Sequence, residues 1–199
     1  MDTVLEGGFA DPVLQSQTTF RAVMDALANP GTARKVMAAD SIGGILTGEM
    51  VSVLLTLVDH DTSIWLDDAL RSNAPVLDFV NFHTGATLVD EPGKAAFAFA
   101  TSAAHLPPLD KFNLGTQEYP DRSTTIVLAV GSLSGGEELI TRGPGIKDHG
   151  HFGPVGLPGD FTAQWADNRA LFPRGVDLLL VADEQVMGLP RSTRIFEGH

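Results

Sequence analysis

Helical and strand-like segments alternate along the first half of the chain, and this alternation constrains the fold more than any other feature. Asp11 and Pro12 predict the start of a helix over 11–31, because one can cap a helix and the other suits its first turn. Phe20 and Met24 recur along it at helical spacing. The segments that follow are a strand over 32–38, a helix over 41–59 that Ser41 could start, a strand over 62–67, a helix over 72–84, and strands over 95–101 and 123–130.

The last third of the chain has the pattern of paired strands. Two strands are predicted over 176–182 and 185–195, joined as a hairpin by the tight turn Asp183–Glu184. A further strand is expected over 137–142 and a helix over 162–172. Alternating elements followed by hairpins predict a mixed β-sheet flanked by helices.

The size of the chain indicates one domain. Its 199 residues are 43% hydrophobic, and no Ser- or Pro-rich linker divides them. We therefore predict a single α/β domain over 1–199, with flexible termini at about 1–10 and 196–199. The longest apolar run, near 51–58, is too short to span a membrane, and the acidic N-terminus does not have the pattern of an export signal. We expect a soluble, cytoplasmic protein.

The charge and the cysteine content exclude several classes of chemistry. The chain has no cysteine, which excludes thiolate nucleophiles and iron–sulfur ligation. Its net charge of -12 opposes contact with nucleic acid. The imbalance is uneven, because residues 1–141 hold seven basic and eighteen acidic side chains, whereas residues 142–199 hold six and seven. An anionic ligand would meet the least repulsion in the last third of the chain.

A loop rich in glycine and proline, residues 140–160, permits three interpretations: a cradle for an anion, a metal site, or an elaborate turn. His149 and His151 could ligate a metal, but four ligands are usual in a structural site and no second cluster is evident. No metal site is predicted. Gly143 and Gly145 begin a dinucleotide-binding pattern that lacks its third glycine, so that interpretation is weak.

Other motifs are weaker still. Residues 132–136 nearly match a nucleophile elbow, but the first glycine is missing, and we interpret the segment as a hairpin turn. Asp59, His60 and Asp61 are expected at the end of a helix. Lys94 precedes a strand that has a buried pattern, although such lysines are mostly solvated. No catalytic residue and no cofactor are predicted.

Five short stretches occur along the chain in this order: MDALANPG, DHDTSIWL, TRGPGI, FPRGVDLLLV and LPRSTRI. Together they resemble one family, the H subunit of the carbon–phosphorus lyase complex of bacterial phosphonate degradation. The resemblance extends from about Phe9 to Ile195. Ser192 stands where threonine is more usual, a change that keeps the hydroxyl.

The resemblance implies a fold similar to the large domain of pyridoxal-phosphate-dependent transferases, without that cofactor. It implies a homodimer when isolated and membership of a core complex with the G, I and J subunits. That complex joins phosphonates to a purine nucleoside triphosphate to form a ribosyl phosphonate, and its radical J subunit later cleaves the C–P bond. The H subunit of the family has no established catalysis of its own.

Two functions are therefore weighed. The favoured one is a non-catalytic assembly subunit acting in phosphonate catabolism. The alternative is an enzyme or a binding component in which arginines hold a phosphonate or a nucleoside triphosphate, because guanidinium groups match tetrahedral oxyanions. Ion pairing of these arginines with carboxylates such as Asp177 is the competing structural explanation. The candidate ligand-binding residues are Arg142, Gly143, Gly145, Arg174, Arg191 and Arg194.

Overall fold

The computed structural model describes residues 8–198, and it begins with a helix where the sequence predicts one. Helix α1 spans Pro12–Ala28, and the Asp11 side chain accepts a hydrogen bond from the backbone N–H of Leu14 at 3.1 Å. The other helices are α2 (Gly48–Leu57), α3 (Asp68–Arg71), α4 (Ala74–Thr84) and α5 (Phe161–Ala170).

Ten strands form two sheets. In chain order they are β1 (Ala33–Lys35), β2 (Ser63–Leu66), β3 (Thr87–Leu88), β4 (Phe97–Ala100), β5 (Thr125–Ala129), β6 (Leu139–Arg142), β7 (Gly150–Phe152), β8 (Asp177–Ala182), β9 (Gln185–Leu189) and β10 (Arg194–Glu197). The larger sheet has the order β1-β9-β8-β5-β4-β2-β3, and the smaller one has the order β10-β6-β7. Strands β3, β2, β4, β5 and β8 run parallel, whereas β9 and β1 add antiparallel pairs, so the mixed α/β sheet is confirmed.

The two faces of the large sheet have different covers, because side chains alternate between the faces along each strand. On one face, Leu66, Phe99 and Val127 pack against helices α1 to α4. On the other face, Ile126 and Leu180 pack against α5 and the small sheet. The small sheet therefore replaces helices as the cover over part of one face. It also brings the glycine-rich loop of residues 140–160 to the surface of the domain.

One predicted helix boundary needs correction, and one predicted turn is confirmed. The helix predicted over 41–59 begins only after Thr47, whose hydroxyl caps it at the N–H of Met50. Before it, Ile42 and Leu46 form an antiparallel bridge around a turn of two glycines with positive φ, which a helix cannot accommodate. The turn Asp183–Glu184 is confirmed, since both residues have positive φ as a two-residue hairpin requires.

The last strand of the hairpin was predicted too long. The segment 185–195 breaks after β9, turns at Pro190–Thr193 and resumes as β10 in the other sheet. The interpretation of 132–136 as a hairpin turn was wrong, because the strands on its two sides, β5 and β6, lie in different sheets. Phe196 and Glu197, which we expected in a flexible terminus, belong to β10 and pair with β6. The predicted flexible ends at 1–7 and 199 lie outside the described residues.

Helix α1 does not bury all of its apolar residues. Thr19, Val23 and Ala26 face the core, whereas Phe20 and Met24 remain 48% and 50% exposed. Helical spacing thus predicted the helix, and its core-facing stripe is formed by other residues. None of the helices in residues 8–198 is both long enough and apolar enough to cross a bilayer.

Candidate functional site

The outer face of the small sheet carries the candidate site. Thr141 and Ile195 point inward and are buried, so their sequence neighbours point outward. Arg142 and Arg194 are direct partners across the antiparallel pair of β6 and β10. Both arginines are exposed and lie side by side on this outer face.

The two opposed arginines have no carboxylate partner within residues 8–198. The guanidinium of Arg142 instead lies over the half-exposed ring of Phe196, with Cζ 6.0 Å from the ring centroid. Like charges directly across a strand pair repel each other. Their placement therefore costs free energy in the isolated chain, and a negative group bound between them would offset that cost.

A third arginine reaches the same place from helix α5. Arg169 lines a cavity of about 260 Å³ together with Arg194 and Phe196, between α5 and β10. Its Nε donates to the carbonyl oxygen of Ser192 at 3.2 Å, which holds the guanidinium in place. We define Arg142, Arg169, Arg194 and Phe196 as the arginine face. Sequence reasoning missed Arg169, although a cation in the last turn of a predicted helix was the available signal.

Arg191, another candidate, is engaged elsewhere. Its Nε donates to Oδ1 of Asp177 at 3.0 Å, and a terminal nitrogen forms an ion pair with Oδ2 of the same carboxylate. A further terminal nitrogen donates to the carbonyl oxygen of Pro120. The two side chains are only 15% and 20% exposed. The ion pairing expected with Asp177 is thus confirmed for Arg191, and it leaves no guanidinium fork for an anion.

The two candidate glycines allow close packing of the chain. A Cβ at Gly145 would clash with the carbonyl oxygen of Ala28, and one at Gly143 would lie 3.2 Å from that of Ser192. The loop between β6 and β7 therefore packs against the end of α1 and against the turn before β10. Arg174 follows α5, and its Nε is buried without a hydrogen-bond partner in the described chain. None of these three residues belongs to the arginine face.

The histidines of the loop lie beside each other, with ring centroids 5.0 Å apart. His151 is engaged with Glu138, whose Oε1 lies 3.0 Å from Nδ1 of the ring. Within residues 8–198, no group of three or more His, Asp or Glu side chains is arranged to hold a metal ion.

Comparison with known proteins identifies the family. The model of the family described as bacterial phosphonate metabolism protein (PhnH) matches residues 7–196. The chain belongs to the PhnH family.

Two relatives extend this result. A protein of Rhizobium meliloti (strain 1021), named alpha-D-ribose 1-methylphosphonate 5-triphosphate synthase subunit PhnH, is 48% identical over 193 residues, which cover 96% of each chain. A protein of Stutzerimonas stutzeri, named putative C-P lyase subunit protein HtxG, is 32% identical over 181 residues, which cover 91% of this chain and 86% of its own.

In this PhnH-family chain, four of the five stretches on which the resemblance rested meet at one junction, and DHDTSIWL, which contains β2, lies elsewhere in the large sheet. The loop of Gly143 and Gly145 packs against the end of α1 and the turn around Ser192, and Arg191 of that turn pairs with Asp177 at the start of β8. These stretches hold the two sheets and α1 together. Because these residues make structural contacts, the motifs that they form identify the fold and not a ligand site.

The carboxyl ends of β2 and β4 hold a separate polar network that is typical of a positioned histidine. Buried Asp67 accepts hydrogen bonds from the N–H and hydroxyl of Thr101 at 2.7 and 2.6 Å. Nδ1 of His105 lies 3.0 Å from that hydroxyl and 3.3 Å from the hydroxyl of Ser102. Because both hydroxyls face the same ring nitrogen, the geometry does not activate Ser102 in the manner of a Ser-His-Asp triad.

Proposed function

We propose that this PhnH-family chain acts in organic phosphonate catabolism as a non-catalytic subunit of a carbon–phosphorus lyase complex, assembling with G, I and J sister subunits. The observation that carries the proposal is the match of nearly the whole chain to PhnH, together with relatives whose names describe them as subunits. A subunit of this kind acts through its surfaces.

The arginine face is the surface best suited to dock a sister subunit. Arginine and aromatic residues are enriched at protein interfaces, and here they lie together on an exposed sheet. The net charge of the whole chain is -12, so this basic face differs in sign from the chain as a whole and would attract an acidic surface. An acidic surface on a sister subunit would relieve the repulsion between Arg142 and Arg194.

Co-expression with the sister subunits tests this role. We expect the chain to co-purify with G, I and J, and we expect the double variant Arg142→Glu/Arg194→Glu to lower the recovered complex by at least about tenfold. The matched control is Lys94→Glu/Lys111→Glu, which makes the same charge change at two exposed lysines outside the arginine face and outside α1. If the unmodified chain fails to associate with its cognate partners, the proposed role is wrong.

We also propose that the isolated chain forms a homodimer through α1. Val13, Phe20 and Met24 expose an apolar stripe on this helix, and β1 beside it is an edge strand of the large sheet. Burial of such a stripe against a second copy is favourable at about 25 cal/mol per Å². Light scattering of the isolated chain should give the mass of a dimer. Phe20→Glu/Met24→Glu should give a monomer with an unchanged circular dichroism spectrum, whereas a persistent dimer would exclude this interface.

The second candidate function uses the same arginines for a small ligand. Arg169 and Arg194 line a cavity, and Arg142 lies opposite Arg194 across the strand pair; their guanidinium groups would suit a phosphonate or a nucleoside triphosphate. Calorimetry of the isolated chain with methylphosphonate and with ATP tests this function. Binding that is lost in Arg142→Ala and kept in Arg21→Ala would favour it over docking, and no heat at millimolar ligand would count against an autonomous site.

Two further proposals concern the fold, which the family resemblance implies, and the location, which follows from the acidic N-terminus without the pattern of an export signal. The seven-stranded sheet should superpose on the large domain of pyridoxal-phosphate-dependent transferases with the same strand order, which a structural superposition tests directly.

We also infer that the chain acts in the cytoplasm. A tagged chain expressed in a phosphonate-degrading bacterium should be recovered in the cytoplasmic fraction. Recovery of that chain with the membrane or the periplasm would overturn this inference.

A further inference from the structure

A cavity of about 320 Å³ opens at the amino-terminal ends of β2, β4 and β5, away from the arginine face. The first residues of these strands form part of its wall. Apart from Ala96, the rest of its wall is polar and consists of Lys94, Asn113, Asp121, Arg122 and Ser123. Volumes of this size lie at the lower end of the range for small-molecule sites.

The Ser123 hydroxyl provides the first observation that points to a ligand. The residue is only 7% exposed, and its hydroxyl has no hydrogen-bond partner in the described part of the chain. Thr124 beside it shows the usual arrangement, because its hydroxyl donates to the carbonyl oxygen of Ala95 at 2.6 Å. A buried hydroxyl without a partner is unfavourable in the free protein. Ser123 lines the cavity, so another staggered rotamer of its side chain would turn the hydroxyl toward an acceptor bound there.

Two cationic residues from different segments line the same cavity. Arg122 lies over the ring of Tyr119, with Cζ 4.2 Å from the centroid, and it has no carboxylate partner within residues 8–198. The Asn113 amide donates to the carbonyl oxygen of Arg122 at 2.8 Å and fixes the backbone there. Lys94 pairs with Glu91 at 2.7 Å, but both side chains are largely exposed, and such pairs exchange easily.

We propose that this cavity binds a small molecule with an oxyanion head group, held by the Ser123 hydroxyl, Lys94 and Arg122. A carboxylate and a tetrahedral phosphate-type group share the required chemistry, namely oxygens that accept charge-assisted hydrogen bonds. Asp121 is the one acidic group in the wall, and its repulsion limits the affinity. The site does not depend on the docking role of the arginine face.

Calorimetric titration of the full chain with inorganic phosphate and, separately, with acetate tests the site. Binding of phosphate alone identifies a tetrahedral head group, and binding of acetate alone identifies a carboxylate. Binding of both supports a general oxyanion site. If neither probe binds at millimolar concentration, the proposal is overturned.

Ser123→Ala separates a ligand site from a structural defect. It should weaken binding of the probe about tenfold, because one hydrogen bond to a charged group is lost. The same variant should leave the thermal midpoint of the free protein unchanged or raise it, since it removes an unpartnered buried hydroxyl. Unchanged affinity in this variant would overturn the role of the hydroxyl in the proposed site.

Charge variants locate the bound anion. Lys94→Gln should weaken probe binding about tenfold, and Asp121→Asn should strengthen it, because the two changes alter the local charge in opposite directions. Lys35→Gln is the matched control, since Lys35 lies on β1 at the far edge of the large sheet. An equal loss of affinity in Lys35→Gln would show that the net charge of the protein, and not this cavity, governs binding.

Discussion

Arg191 and Arg194 stand three residues apart in one stretch of sequence, yet the fold gives them opposite surroundings. Arg191 is enclosed by Asp177 and the carbonyl oxygen of Pro120. Arg194 lies exposed and directly opposite Arg142, without a carboxylate partner in the described chain. The difference shows that an arginine can serve the stability of the fold or remain available to a partner, and that its local sequence does not decide which.

The largest effect is expected from Arg191→Ala. Removing one partner of a poorly exposed ion pair leaves the Asp177 carboxylate unpaired, which should lower the free energy of unfolding by about 2–4 kcal/mol. Urea denaturation followed by circular dichroism measures this loss. Arg194→Ala serves as the internal control and should change the free energy by less than about 0.5 kcal/mol. Equal losses of unfolding free energy in the two variants would show that Arg194 stabilises the fold as much as Arg191 does.

Gly145→Ala tests the junction that surrounds the buried arginine. The new Cβ would clash with the carbonyl oxygen of Ala28, at a residue whose φ is 80°. Gly135→Ala is a matched control, because Gly135 has a φ of 87° and open space around it. We expect Gly145→Ala to cost about 1–3 kcal/mol more than the control in thermal or urea unfolding. Similar costs would mean that the loop yields without disturbing α1.

The double variant Arg142→Gln/Arg194→Gln tests whether the two exposed arginines contribute to stability. Removing two like charges that face each other across a strand pair should leave the free energy of unfolding unchanged or raise it by a few tenths of a kcal/mol. The same variant should weaken co-purification with the sister subunits. A clear loss of stability would instead show that these two arginines stabilise the fold, as Arg191 is expected to do.

The smallest effect concerns His83, a partly buried histidine in the last turn of α4. Burial lowers the pKa of the His83 imidazole from its usual 6.5, because the charged form loses hydration. The folded state therefore binds fewer protons than the unfolded state, and stability should decline as the pH falls through about 6.5. Unfolding midpoints measured between pH 7.5 and 5.5 should show a smaller decline in His83→Leu. His60→Gln, at an exposed position, should keep the decline of the unmodified chain.

Local sequence predicted the existence and type of most elements. Capping and turn residues act within a few positions of the chain, so Asp11 caps α1 and the Asp183–Glu184 turn closes its hairpin as predicted. The predictions failed where a segment changes sheets, as between β9 and β10. A run of residues with β pattern does not specify which sheet it joins, because pairing depends on strands distant in sequence.

The sequence alone determined the α/β class, the hairpin of β8 and β9 and the resemblance to the H-subunit family. These follow from periodicity, from local turn chemistry and from the order of short motifs. Only the tertiary structure decided which arginines are paired and which are free. The pairing of β6 with β10 places Arg142 beside Arg194. The turn after β9, in contrast, brings Arg191 against Asp177 at the start of β8. Charge pairing depends on distances between atoms, and packing sets those distances.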